Sequence, residues 1–158
     1  MAGIAGFAAA LVASSESRGE RAASTAVLRD RLARAVTGIE GVIETVGPGV
    51  AASLGLPADR THLLPGHLHL MVDGVVGEEL LFDLESRGVC ASAGSSCASG
   101  ATHGSHVVAA IGLGDSRAAP LRLSLGADAT GEMVGIAADA FGASVAHLRG
   151  TTRTGAVR

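Results

Sequence analysis

The sequence contains no lysine, because all twelve of its basic residues are arginines. A Schiff base between an enzyme and an aldehyde cofactor needs a primary amine, and lysine is the side chain that supplies one. Apart from an N-terminal amine, this chain offers no such group. It therefore cannot hold an aldehyde cofactor covalently in the usual way.

Aromatic residues are almost as scarce, with no tryptophan, no tyrosine and three phenylalanines. The chain thus lacks the aromatic platforms on which the bases of nucleic acids stack. The net charge of -3 and the isoelectric point near 6.0 also show no excess of positive charge that would bind the phosphate backbone of a nucleic acid. We therefore expect no nucleic-acid partner.

Long apolar runs and cysteine pairs are absent as well. Residues 1–13 are apolar but too short to span a bilayer, and no positive charge precedes them. We expect an alanine-rich helix there, with a cleaved signal peptide as the alternative. Cys90 and Cys97 form neither a CxxC pair nor a disulfide framework. The prediction is a cytoplasmic protein with no membrane partner.

The composition that remains is that of a folded domain, with 158 residues, 47% hydrophobic and 17% charged. A chain of this size buries roughly 70% of the surface that it exposes when unfolded. We expect one α+β domain over 1–150, with an N-terminal helical segment over 1–36 and a core over 37–150. The core would contain a cysteine loop over 92–100, and a frayed tail would follow over 151–158.

Hydrophobic periodicity and turn residues predict the elements. In chain order they are helix 2–36, interrupted or bent around 14–19; strand 41–45; irregular linker 47–57; strand 67–72; helix 78–87; strand 89–91; helix 106–111; strand 121–125; and helix 131–148. Short connections between the strands favour a small, mostly antiparallel sheet with helices packed on one face.

Two of these elements predict which side chains are buried. Strand 121–125 alternates strictly, so its leucines face the core while Arg122 faces solvent or a polar cleft. The last helix carries an apolar stripe that begins at Met133 and includes Phe141, which predicts a buried face.

Both cysteines lie in the stretch 88–100, which is rich in glycine, serine and alanine. From Ser92 to Gly100 no side chain is large enough to anchor the backbone in a core, which predicts a mobile loop. A thiol on such a loop suits the movement of sulfur between sites, while a cysteine without a role is the alternative for Cys97. Cys90 is predicted to be buried packing rather than a second reactive thiol.

Three segments, in this order and spacing, carry a resemblance to a known family. They are Leu64-Pro-Gly-His-Leu-His-Leu70 with Gly74-Val-Val-Gly-Glu-Glu-Leu-Leu81, then Gly94-Ser-Ser-Cys-Ala-Ser-Gly100 with Ser105-His-Val-Val108, then Leu121-Arg-Leu-Ser-Leu-Gly126. Together they resemble the C-terminal part of cysteine desulfurases, which depend on pyridoxal phosphate (PLP) and belong to the class V aminotransferase group. Residues 1–11 also resemble the helix that follows the family's cofactor-lysine strand.

The resemblance implies a fold like the C-terminal small domain of fold-type I PLP enzymes, and it assigns roles to five residues. Cys97 would take sulfur from the substrate cysteine and hold it as a persulfide. Arg122 and His69 would bind the substrate, with the planar arginine on its carboxylate. Ser96 and His106 would support the loop. The family's cofactor lysine lies outside the matched part, so no cofactor-binding residue is assigned to this chain.

The main hypothesis is a split small subunit of a cysteine desulfurase, or a reading frame that starts late, which is inactive alone. PLP would then come from a large subunit or a desulfurase homologue, in a hetero-complex or oligomer. The sulfur would pass to an acceptor protein, for example one in iron–sulfur assembly.

Two other hypotheses remain open. The chain could be a non-catalytic remnant that binds a protein partner or accepts persulfide sulfur. It could also hold a metal ion, although no spacing in it matches a zinc signature. The candidate ligands are His67, His69, His103 and His106 with Cys97.

Overall fold

The computed structural model describes residues 1–93, 106–113 and 118–155, with only the backbone at 106 and 152–155. In chain order the elements are α1 (Ala2–Thr37), β1 (Val42–Glu44), α2 (Pro48–Ser53), β2 (His67–Val72), α3 (Gly77–Ser86), α4 (His106–Val108) with a π-helical turn (Ala109–Leu113), β3 (Ala119–Ser124) and α5 (Gly131–Gly155).

The three strands form one antiparallel sheet in the order β1, β2, β3. In the central strand, Leu70 is paired with Glu44 on one side and with Leu121 on the other. Because side chains alternate between the two faces of a strand, the buried leucines of β2 and β3 share one face. The predicted strand 67–72 is confirmed, as is the exposure of Arg122. The strand predicted over 121–125 is present as β3, but it begins two residues earlier and ends at Ser124.

Helices α1, α3 and α5 pack against that face of the sheet. Leu68, Leu70, Leu121 and Leu123 form the sheet side of the core. The helix side is formed by apolar side chains that are almost fully buried: Leu32, Val36, Leu80, Leu84, Phe141 and Val145. The predicted α+β class, with helices packed on one face of a small sheet, is confirmed.

Two helices differ from the sequence prediction. The expected interruption around residues 14–19 is wrong, because α1 continues through it. There the hydroxyl of Ser17 donates to the carbonyl of Ala13 at 2.9 Å, so this polar side chain is satisfied within the helix. The expected linker at 47–57 is also wrong, because α2 begins at Pro48. A proline fits the first turn of a helix, where its missing N–H has no intrahelical partner to lose.

Three further details are corrected. Residues 89–91 form no strand, and the bridge to β3 is made by Ser92 instead. The last helix continues to Gly155, so residues 151–155, expected in the tail, are helical. Met133 is 53% exposed, whereas Val134 is 4% exposed. The buried stripe therefore starts one residue later than predicted, in helical register with Phe141.

A buried ion pair lies at the end of β1. Glu44 is on the core face, and its carboxylate accepts two hydrogen bonds from Arg60 Nε, at 3.1 and 3.0 Å, and one from Nη2 at 2.7 Å. Gly47 packs so closely on the Glu44 side chain that a Cβ there would clash. These contacts fix the backbone just before and after Thr45, which is part of the candidate site.

Asp83 makes one hydrogen bond at the end of its own helix, α3, and has one contact with α5. Its carboxylate accepts the hydrogen bond from Arg87 Nε at 2.8 Å and lies 3.0 Å from His147 Nδ1. The hydrogen bond from Arg87 is the largest cause that lowers the pKa of Asp83 to about 2, and His147 adds to it. The ordinary value is 3.8.

This lowered pKa predicts acid sensitivity. The folded chain binds the Asp83 proton less readily than the unfolded chain, so its stabilisation is present above about pH 4 and lost towards pH 2. We expect Asp83→Asn to lower the free energy of unfolding at pH 7 by up to about 1 kcal/mol and to flatten its dependence between these pH values. Denaturant titrations across the range measure both. Asp139→Asn, on the exposed side of α5, is the control, and a wild-type pH dependence in Asp83→Asn would contradict the prediction.

Candidate functional site

Arg122 and His69 are direct partners across the β2–β3 ladder. Both lie on the face of the sheet opposite the leucine core, since Leu121 and Leu123 are buried and Arg122 between them is exposed. The structure therefore brings together the two residues predicted to bind substrate. Among the ion pairs of the described residues, Arg122 takes part in none, so its guanidinium is available to an anion.

The backbone of Arg122 is held on its other side by Ser92. The N–H of Arg122 donates to the carbonyl of Ser92 at 2.7 Å, and the N–H of Ser92 donates back at 3.0 Å. Arg122 is thus paired on both sides, like a residue inside a sheet. The segment that leads to Cys97 is described as far as residue 93, so its last described residues lie next to Arg122, the predicted substrate-binding arginine.

The ring of His69 is oriented by Thr45. Thr45 Oγ1 lies 2.6 Å from His69 Nδ1, and the N–H of Thr45 donates to the carbonyl of His69 at 2.9 Å. Burial lowers the pKa of His69 from its ordinary value of 6.5, and the electrostatic effects of His67 and Arg122 lower it further. The neutral form of His69 therefore predominates at pH 7.

Sequence reasoning missed Thr45 and Ser92 as parts of this site. Thr45 was inside a predicted strand and Ser92 directly followed one, but their roles depend on which residues face them across the sheet. No periodic signal in a single sequence gives that register.

The remaining predicted site residues cannot be placed in the same way. Cys97 and Ser96 lie outside the described residues. His106 begins α4, but its side chain also lies outside them. The loop predicted over 92–100 is described only as far as residue 93.

The prediction that Cys90 is buried is wrong, because the described chain exposes this free cysteine. Its neighbours Val89 and Ala91 pack partly against the core. In an extended segment the residue between two inward-facing side chains faces outward, and Cys90 does so. It lines a groove of about 340 Å³ between the end of β3 and α5, beside Leu123 and Met133.

The two histidines of β2, His67 and His69, share a face as expected for residues two apart on a strand. Within residues 1–93, 106–113 and 118–155 there is no group of three histidine, cysteine or acidic side chains that could hold a metal ion. His103, another candidate ligand, lies outside these ranges. Of the helices in the described ranges, none has the length and apolar character needed to cross a bilayer.

The fold of the chain is similar to part of a solved structure. The structure matches the X-ray structure of a NifS-like protein from Rickettsia africae ESF-5 with a TM-score of 0.66 and 19% sequence identity. The match covers 89% of this chain and 33% of that chain. The chain therefore has the fold of part of a NifS-like protein.

Curated proteins to which the chain is similar are named as cysteine desulfurases. The chain is 39% identical over 132 residues to the cysteine desulfurase IscS of Clostridium botulinum (strain Hall), which is 83% of this chain and 31% of the relative. It is 33% identical over 131 residues to the IscS-like cysteine desulfurase of Mycobacterium tuberculosis, covering 82% and 31%. No protein-family profile matches.

The chain spans about a third of the length of the curated relatives that it matches. It is therefore homologous to part of a cysteine desulfurase, and the resemblance found in the sequence is confirmed.

Proposed function

We propose that this chain supplies the sulfur-carrying cysteine and the carboxylate-binding arginine of a cysteine desulfurase whose PLP is held by another polypeptide. In this proposal the Cys97 thiolate bonds to the sulfur of the substrate cysteine while the C–S bond of that cysteine breaks and leaves alanine, and the outer sulfur of the resulting persulfide then passes to an acceptor protein. The main observation in support of this proposal is the position of Arg122. The chain that contains it is homologous to part of a cysteine desulfurase. Arg122 is exposed, without an ion-pair partner among the described residues, and joined to the segment that leads to Cys97.

Arg122 suits the recognition of the substrate carboxylate for two reasons. Its planar guanidinium donates two parallel hydrogen bonds, which match the two oxygens of a carboxylate better than a point charge does. Its backbone is also fixed, because its N–H and its carbonyl are both bonded to Ser92 while it lies opposite His69 in the β2–β3 ladder, so less conformational freedom is lost when substrate binds.

Cys97 follows Ser92 by five residues, which span at most about 18 Å when fully extended. A thiol has to ionise before it can attack sulfur, and an ordinary cysteine with a pKa of ~8.5 is only slightly ionised at neutral pH. A cation close to the thiol favours the thiolate. In this proposal Arg122, which is paired with Ser92 at the start of this segment, supplies that charge.

PLP does not fit this chain alone, because the chain has no lysine to hold it covalently. We therefore assign no step of the cofactor chemistry to the residues described here. The first turns of α1 expose apolar side chains, which supports the proposal that a partner polypeptide covers them. Ile4 is 72% exposed, Phe7 71% and Leu11 59%, and the three share one side of the helix.

The test is sulfide release from cysteine by the purified chain, with PLP and reductant, in the presence and absence of a PLP-binding desulfurase polypeptide from the same source. We expect release only in the mixture. Release by the chain alone would contradict the need for a partner, and no release with any such polypeptide would contradict the proposed function.

Arg122→Lys makes this test specific for Arg122. The substitution keeps the positive charge but removes the planar guanidinium that donates two parallel hydrogen bonds. We expect kcat/KM of the mixture to fall about 10- to 100-fold, as for the loss of a charge-assisted hydrogen bond. Arg34→Lys, at an exposed position of α1, is the matched control. Equal activity of the two variants would remove Arg122 from the proposed site.

The missing lysine also favours a second candidate, a non-catalytic chain that accepts persulfide sulfur from a separate desulfurase or binds a protein partner. Under this alternative Cys97 would be labelled by a persulfide-selective reagent after incubation with a complete desulfurase. The labelling would not depend on Arg122, which separates the two candidates.

A further inference from the structure

Thr45 is the residue of this site to which neither the sequence nor the relatives assign a role. It follows β1 directly and is 4% exposed. It contacts His69 twice, through its backbone N–H and through its hydroxyl. Its side chain therefore lies on the same face of the sheet as His69 and Arg122.

The hydroxyl of Thr45 determines which nitrogen of His69 carries the proton. Among the described residues His69 Nδ1 is the only hydrogen-bond partner of Thr45 Oγ1. If Nδ1–H donated to Oγ1, the buried hydroxyl hydrogen would have no acceptor there, and a buried donor without a partner costs about 1–3 kcal/mol. The hydroxyl therefore donates to Nδ1, and in the neutral ring the proton is on Nε2.

Nε2 of His69 is then a hydrogen-bond donor with no protein partner among the described residues. His69 is directly opposite Arg122 in the β2–β3 register, and both side chains are on the exposed face of the sheet. Two donors of different shape, a neutral N–H and a guanidinium, thus stand side by side. A carboxylate accepts hydrogen bonds on both of its oxygens and fits such a pair.

We infer that Thr45 is a positioning residue that holds His69 in its Nε2–H form, so that His69 and Arg122 together bind the carboxylate of the substrate. The second half of this inference rests on the proposed function, whereas the first half concerns this chain alone. Thr45 acts only through His69 and does not touch the substrate.

The tautomer of His69 is measured on the intact chain by long-range ¹H–¹⁵N NMR at neutral pH, without any partner or cofactor. We expect wild type and Thr45→Ser to show one Nε2–H form, because serine keeps the hydroxyl. Thr45→Val keeps the shape of the side chain but removes the donor, so a clear Nδ1–H population should appear. Thermal unfolding confirms that each variant is folded. A wild-type ring protonated on Nδ1, or no change in Thr45→Val, would overturn the inference.

The second arm uses the chain mixed with its PLP-binding polypeptide. We expect Thr45→Val to raise KM for cysteine about 3- to 10-fold with a smaller change in kcat, and Thr45→Ser to restore it. A KM equal to that of wild type would overturn the link to the carboxylate. If no variant, including wild type, is active, the proposed function fails while the NMR result still decides the role of Thr45.

Discussion

Replacing Cys97 with serine is expected to lower sulfide release by the chain and its PLP-binding partner at least about 1000-fold in kcat. Serine keeps the size of the side chain but replaces the thiol with a hydroxyl, which is not ionised at neutral pH and forms no persulfide. Substrate binding by Arg122 and His69 should be unaffected. We therefore expect the loss in kcat with little change in the affinity for cysteine.

Cys90→Ser is the matched control for this variant. It changes the same atoms at an exposed cysteine seven positions earlier, which the proposal leaves without a role in catalysis. We expect its sulfide release to stay within about twofold of wild type. If Cys90→Ser abolished activity and Cys97→Ser did not, the assignment of the sulfur carrier would be wrong.

Phe141→Ala is expected to lower the free energy of unfolding by about 3–5 kcal/mol, because it removes the largest fully buried side chain of the described residues and leaves a cavity in the core beneath α5. For a chain of this length the melting temperature should fall by about 10 °C. Urea titration and thermal unfolding measure the two quantities.

The chain offers a matched control for this substitution as well. Phe82 lies in another helix, α3, and is 76% exposed. We expect Phe82→Ala to change the free energy of unfolding by no more than about 0.5 kcal/mol. Similar losses for the two variants would contradict the position of the core on the helix-covered face of the sheet.

The sequence predicted the elements whose hydrophobic pattern is regular. Strand β3 alternates leucine with polar residues, and β2 carries Leu68 and Leu70 on one face, so both strands and their buried faces were predictable. Helix α3 was also predicted, from acidic residues in its first turn and a glycine after its end.

The errors fall where a local signal has two meanings. Proline in a glycine-rich stretch was interpreted as linker, yet Pro48 starts a helix. Serines near the middle of α1 suggested a break, yet Ser17 hydrogen-bonds within the helix. Cys90 was expected to be buried because it lies on a predicted short strand that leads into the loop, yet the structure exposes it.

The sequence analysis named some residues of the candidate site but not their arrangement. Arg122 and His69 came from the family resemblance, while their pairing across β2 and β3 required the register of the sheet. Thr45 and Ser92 entered the site through contacts with residues far away in the sequence. Such contacts leave no trace in composition or periodicity.

The central claim is that Cys97 of this chain receives sulfur at a site completed by a PLP-binding polypeptide. Intact-protein mass spectrometry of the chain, after incubation with that polypeptide, PLP and cysteine, tests it most directly. We predict that the chain gains the mass of one sulfur atom at Cys97, that reductant removes this mass, and that Arg122→Lys slows its appearance. A chain that stays unmodified with an active partner, or that carries the sulfur on Cys90 instead, would contradict the account.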